Sequence, residues 1–189
     1  MPSAGQSELL EAAYRYALAH GLADLSLRPL AEAIGSSTRV LMFLFGSKDG
    51  LVRALLERAR VHEPAVLAQL RQEDNPVGLA TAAERVWTWL AAGEHCPLLR
   101  LWAEACTRSL VEPEGPWAGF AEVTVEDWLN LLAACPPEPQ RDAEAGSVRR
   151  TAAMPVLRGV LLDLLATDDE PRVTAAVHHQ LALRRSDDD

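Results

Sequence analysis

The chain has 189 residues, 49% of them hydrophobic and 24% charged, with a net charge of −9. These proportions are those of an ordinary folded chain long enough to bury a core, and they exclude wholesale disorder, collagen-like repeats and a small disulfide-stapled scaffold. Cys96, Cys106 and Cys135 show no CxxC spacing, MPSAGQSELLEAA lacks a basic-then-apolar signal, and Asp163 interrupts the apolar run GVLLDLLA, so we expect no metal site, no membrane span and a cytoplasmic location.

Apolar residues recur at helical spacing nearly throughout, and no stretch alternates long enough to make a strand. The fold class predicted is all-α. Glycine, proline and serine cut the chain into segments, beginning with ELLEAAYRYALAHG, which stops at Gly21. Ser26 then caps a short helix that tolerates Pro29 in its first turn and stops at Gly35. Ser36 or Ser37 caps another short helix through Phe45, and Gly46 with Ser47 separates it from a helix running from Lys48 to about Val61. Further helices are predicted to about Gln72, from Pro76 to Ala92, from Pro97 to Leu110 and from Trp117 to Ala134. A polar, proline-rich loop follows. The last two helices run from about Ser147 to Ala166, with Pro155 producing a kink or a late start, and from Pro171 to Arg185 behind the acidic cap TDDE.

Charge is distributed unevenly along this string of helices. Residues 1–60 carry seven basic against six acidic side chains, and residues 61–189 carry eleven against twenty-one. A near-neutral front module and an acidic back module are expected. Two short helices, Leu27 to Ile34 and Ser37 to Phe45, joined through Gly35 and preceded by a longer one, form a helix-turn-helix pattern. On spacing alone this is equally an αα-hairpin of a helical bundle.

The residues themselves say more. Ala12, Ala13, Gly21, Ser26, Arg28, Leu30, Ala31, Gly35, Ser37, Leu41, Phe45, Ser47, Lys48 and Leu51 fall without gaps on a pattern that resembles the DNA-binding domain of the TetR family of transcriptional regulators. LRGVLLDLLATDDEPRVTAAVHHQL is more loosely similar to the last two helices of that family. The resemblance implies a three-helix helix-turn-helix DNA-binding domain, residues 1–48, followed by a helical ligand-binding and dimerisation domain, residues 49–189, about nine helices. It also implies a double-stranded DNA operator, a small-molecule effector and a homodimer as partners, with no cofactor.

Physical reasons support several matches. Helix N-termini at Ser26 and Ser37 can face phosphates, and Arg28 and Arg39 are long cations placed to reach a groove. Lys48, the only lysine, opens a helix where its charge opposes the dipole, which favours a phosphate contact. Ser36, Thr38 and Phe43 complete the candidate DNA-binding set. The chain also departs from the family: Met42 or Phe43, then Leu44, stand where it usually carries a tyrosine and a second aromatic or histidine, and nothing before Arg15 is cationic. A second reading therefore stays open, an all-α sensor or protein-interaction module that kept the fold and lost DNA binding.

All five tryptophans lie after residue 60. Each can simply fill a core. Together, Trp87, Trp102, Trp117 and Trp128 beside small residues such as Cys106 mark the candidate effector cavity, in agreement with the resemblance. Leu157, Val160, Leu161 and Leu164 make one apolar stripe, and Val173, Val177 and Leu181 another. These are the candidate dimer surfaces, although each stripe can equally face its own core. No P-loop, GxGxxG, HExxH or GxSxG occurs, and the adjacent His178 and His179 point to different helix faces, so no catalytic residue is assigned.

Overall fold

A computed structural model describes residues 4–60, 78–134 and 144–186. Among these residues all regular structure is helical. In chain order the helices are α1 (Ala4–His20), α2 (Leu27–Ala33), α3 (Thr38–Phe45), α4 (Lys48–Arg60), α5 (Leu79–Ala91), α6 (Cys96–Val111), α7 (Phe120–Ala133), α8 (Glu144–Thr167) and α9 (Glu170–Ser186), with one 3₁₀ turn at Gly93–His95. The predicted helix ending near Gln72 and the loop bearing Cys135 lie outside the described residues.

The all-α expectation holds, with local differences. The helix expected from Trp117 starts at Phe120, because residues 117–119 form a turn that closes on Gly119 with φ +73°. Pro155 neither delays nor ends its helix, since α8 is continuous from Glu144 to Thr167. The ring costs one backbone donor inside this helix. Long flanking turns and the burial of Ala153, Met154 and Leu157 compensate.

By contact the chain forms two compact units, Met1–His62 with Pro97–Val123, and Glu63–Cys96 with Thr124–Asp189. In the first, Ala13, Tyr14 and Ala17 of α1, Leu30 and Ala31 of α2, Leu41 of α3 and the Leu51, Val52, Leu55, Leu56 and Ala59 face of α4 make a common core. In the second, α5 is central, and both α8 and α9 pack on it through Met154 and Leu157 and through Val173, Val177 and Leu181. The Trp87 indole N–H donates to Thr174 Oγ1 at 2.9 Å and so satisfies the one polar atom that burial of this ring would strand.

Candidate nucleic-acid interface

The turn between α2 and α3 is built by backbone hydrogen bonds. Ser36 N donates to Ala31 O at 2.8 Å and Gly35 N to Glu32 O at 3.3 Å, the two bonds of a Schellman ending, which needs a left-handed residue and finds it in Gly35 at φ +65°. Ser36 is thereby used in ending α2, and Ser37 caps α3: its Oγ accepts from Val40 N at 3.2 Å. Ser26 occupies the N-cap position of α2 with extended backbone, but its hydroxyl makes no capping bond. That corrects the expected role of its side chain. An anion is favoured at a helix N-terminus, and Ser26, Ser37 and Thr38 at these two are exposed.

On α3 the helical rotation of about 100° per residue sets Leu41 inward against α4, and places Arg39 and Phe43 on the opposite stripe. Thr38 and Arg39 are exposed. Phe43 is 86% exposed, flanked by Val40 at 40% and Met42 at 42%. Three of the eight large apolar side chains exposed on the described chain therefore fall on this one short helix. Lys48 is exposed at the start of α4. Arg28 is also exposed and forms an ion pair with Glu32 one turn away at 3.3 Å, an interaction worth little against solvent. The predicted residues Ser37, Thr38, Arg39, Phe43 and Lys48 thus share the surface of the α3–α4 corner, with Ser26 and Arg28 at the start of α2.

Other contacts that hold this corner in place were not visible in sequence spacing. Gln6 of α1 reaches Leu44 O at 3.3 Å. Arg58 makes a bidentate pair with Glu11, its Nη2 at 3.1 Å from Oε2, and stacks its guanidinium 4.9 Å from the Tyr14 ring centre, joining α4 to α1. The hydrogen bond that Arg58 donates to Glu11 raises the Arg58 pKa, and burial raises that of Tyr14. From α6, Glu104 Oε2 accepts the Leu22 N–H at 3.0 Å, 82 residues away in sequence. A Cβ at Gly21 would stand 3.1 Å from the same oxygen, so Gly21 serves the turn and the close approach together.

The candidate effector residues divide between the units. Trp102, Cys106 and Trp117 belong to the first, Trp87 and Trp128 to the second, and all four tryptophans are buried. One cavity of about 200 Å³ in the first unit is lined by Arg53, Leu56, Glu57 and Arg60 of α4 with residues of the 116–123 segment. An open groove of about 370 Å³ in the second lies between Val125 and Leu129 of α7 and Thr151, Met154, Pro155, Arg158, Gly159 and Leu162 of α8. None of the candidate tryptophans lines these two cavities.

The side chains of the two candidate dimer stripes differ in exposure. Val173, Val177 and Leu181 face α5, and Leu157 is buried in the same core, so these four side chains have no surface left for a second chain. Their helices pack within the subunit first. Val160, Leu161 and Leu164 are only half-buried, and Leu162 and Leu183 are each 53% exposed.

A sequence profile described as "Bacterial regulatory proteins, tetR family" matches residues 9–55, the segment from α1 through most of α4. This helix-turn-helix module belongs to the TetR family. The whole chain has the TetR-type fold. It is similar to a transcriptional regulator of Rhodococcus sp. Rha1, at 18% identity and TM-score 0.72, with 94% of each chain covered. It is similar also to a TetR transcription regulator from Haloarcula marismortui, at 17% identity and TM-score 0.70, again with 94% of each chain covered. A third similar structure is the multidrug binding protein EbrR complexed with ethidium, at 24% identity and TM-score 0.70, covering 92% of this chain and 96% of that one. No match was found among curated protein sequences. Among the described residues no helix is long and apolar enough to cross a membrane.

Proposed function

We propose that this TetR-type protein is a transcriptional regulator, acting as a repressor, that binds a near-palindromic operator as a homodimer and is released by a small, mostly apolar effector. The observation that carries the reading is the α3–α4 corner. Its recognition helix has a capped, exposed N-terminus, and Arg39 and Lys48 are exposed beside it. Phosphates are met by the helix N-termini and Lys48, which position the protein. Arg39 reads a base edge, where guanine offers two acceptors to one guanidinium. Two such corners related by a two-fold axis reach successive major grooves about 34 to 36 Å apart, and an effector that favours a different spacing lowers operator affinity by its differential binding.

The effector reading draws support from the likeness to a multidrug binding protein solved with ethidium. Its assay is quenching of tryptophan fluorescence by planar apolar compounds. The DNA reading is tested by selection from random duplexes. An enriched inverted repeat is expected. Arg39→Ala should then cost about 1 to 3 kcal/mol and relax the preference at one position, whereas Lys48→Ala should weaken all sequences alike and reduce the salt slope by about one unit. A selection that yields no motif at low salt favours the second reading, a sensor of the same fold without DNA binding. The observation on its side is the apolar surface of α3 in a chain of net charge −9.

A further inference from the structure

The apolar side chains of α3 are the least explained feature of this corner. Burial of a phenylalanine is favourable, and Phe43 forgoes nearly all of that gain within the chain. It lies on the outermost stripe beside Arg39, with Val40 and Met42 on either flank. The surroundings select the kind of surface that covers it. From Ser36 to Lys48 there is no acidic residue and there are two cations, in a chain whose total charge is −9. An apolar stripe beside the exposed cations Arg39 and Lys48 fits a polyanion that also presents apolar groups. The major groove of duplex DNA does this at one base, because thymine displays its C5-methyl group there.

We propose that Phe43, with Val40 and Met42, is a specificity-determining element that reads thymine methyl groups in each half-site. The inference rests on the DNA-binding reading above and goes beyond it, since it names which base edge the apolar residues recognise. It also accounts for a recognition helix with few hydrogen-bond donors. Sequence information then enters through methyl contacts as well as through Arg39, and the methyl contacts depend little on salt. The phosphate contacts of Lys48 and the helix N-termini carry the salt dependence separately.

The experiment selects duplexes from a random pool, resynthesises the winning sequence with deoxyuridine in place of thymidine at one position at a time, and measures affinity for both forms. Deoxyuridine keeps every hydrogen-bonding group and removes only the methyl. At one or more positions of each half-site the wild-type protein should bind the uridine duplex about fourfold more weakly, equivalent to the 0.8 kcal/mol of one buried methyl. Phe43→Ala, at an exposed site where folding is checked by circular dichroism, should bind both forms equally and keep the wild-type salt slope. Binding that ignores the methyl in the wild type overturns this proposal alone. So does a methyl preference that survives in Phe43→Ala, because it then reflects duplex shape. A protein that enriches no duplex at all overturns both this proposal and the DNA-binding reading, and leaves the stripe to a protein partner.

Discussion

Gly50 shows how a single hydrogen can set the α3–α4 corner. It lies in the first turn of α4, where Ser47 Oγ accepts its N–H at 2.9 Å. A Cβ at this position would stand 2.0 Å from the Phe45 carbonyl oxygen, an atom of the backbone that cannot rotate away. The chain can therefore turn this tightly from α3 to α4 only with glycine there. Gly50→Ala should push the end of α3 away from α4 and destabilise the protein by roughly 1–3 kcal/mol. A thermal or urea unfolding curve superimposable on that of the wild type would refute this account. Glycines at Gly21, Gly35 and Gly46 announce themselves as punctuation in the sequence, but Gly50 does not, because its constraint comes from a neighbour's carbonyl rather than from its own φ.

Helix pairs are fastened by a few polar clasps, and the one between α8 and α9 should be sensitive to pH. Asp168 turns the chain with φ +55°, and Asp169 starts α9 by accepting the Arg172 N–H at 3.3 Å. Arg172 then reaches back to Asp163 with two bonds, Nη1 to Oδ2 at 2.9 Å and Nη2 to Oδ1 at 2.6 Å, and holds Asp169 Oδ2 at 3.1 Å. Hydrogen bonding to Arg172 lowers the Asp163 pKa below its ordinary value of 3.8. A carboxylate whose pKa is lower in the folded state contributes stability above its unfolded pKa, and that contribution disappears as pH falls through the folded value. Asp163→Asn should therefore melt slightly below the wild type at neutral pH. The gap should narrow as pH falls below 3.8 and close only below the lower folded value, where the wild-type carboxylate takes up its proton. Equal melting temperatures at pH 7 would show that this exposed clasp contributes nothing.

At the scale of the molecule, the half-buried and exposed apolar side chains of the last two helices bear on assembly. Val160, Leu161 and Leu164 are only partly covered, and Leu162 and Leu183 are open to solvent, while the same helices already fill the core beneath α5. A second copy seated on this outer face through a two-fold axis would make a four-helix arrangement of α8 and α9 with their partners. Leu161→Glu and Leu162→Glu should both yield monomers in sedimentation, and both should lose operator binding. The second substitution sits on an exposed position, so its circular dichroism spectrum should stay that of the wild type. A wild-type protein that sediments as a monomer at micromolar concentration would remove the dimer and the two-groove mechanism with it.

Local rules that act within one turn of chain made much of this protein legible in advance. Helical periodicity predicted an all-α chain, and Gly35 and Ser37 marked the turn of the helix-turn-helix. What lay beyond local rules needed the folded chain. A serine at an N-cap position is a candidate cap by type alone, but whether its hydroxyl turns inward depends on a rotamer, and Ser37 does so where Ser26 does not. The stripe of Val173, Val177 and Leu181 has the same period whether it faces a partner or its own core, and only packing on α5 decided for the core. Glu104 carries no signal of its contact with Leu22, because 82 residues separate them and a carboxylate finds a backbone N–H through tertiary folding alone. Periodicity determines which face of a helix is apolar; the identity of what covers that face is a property of the whole structure.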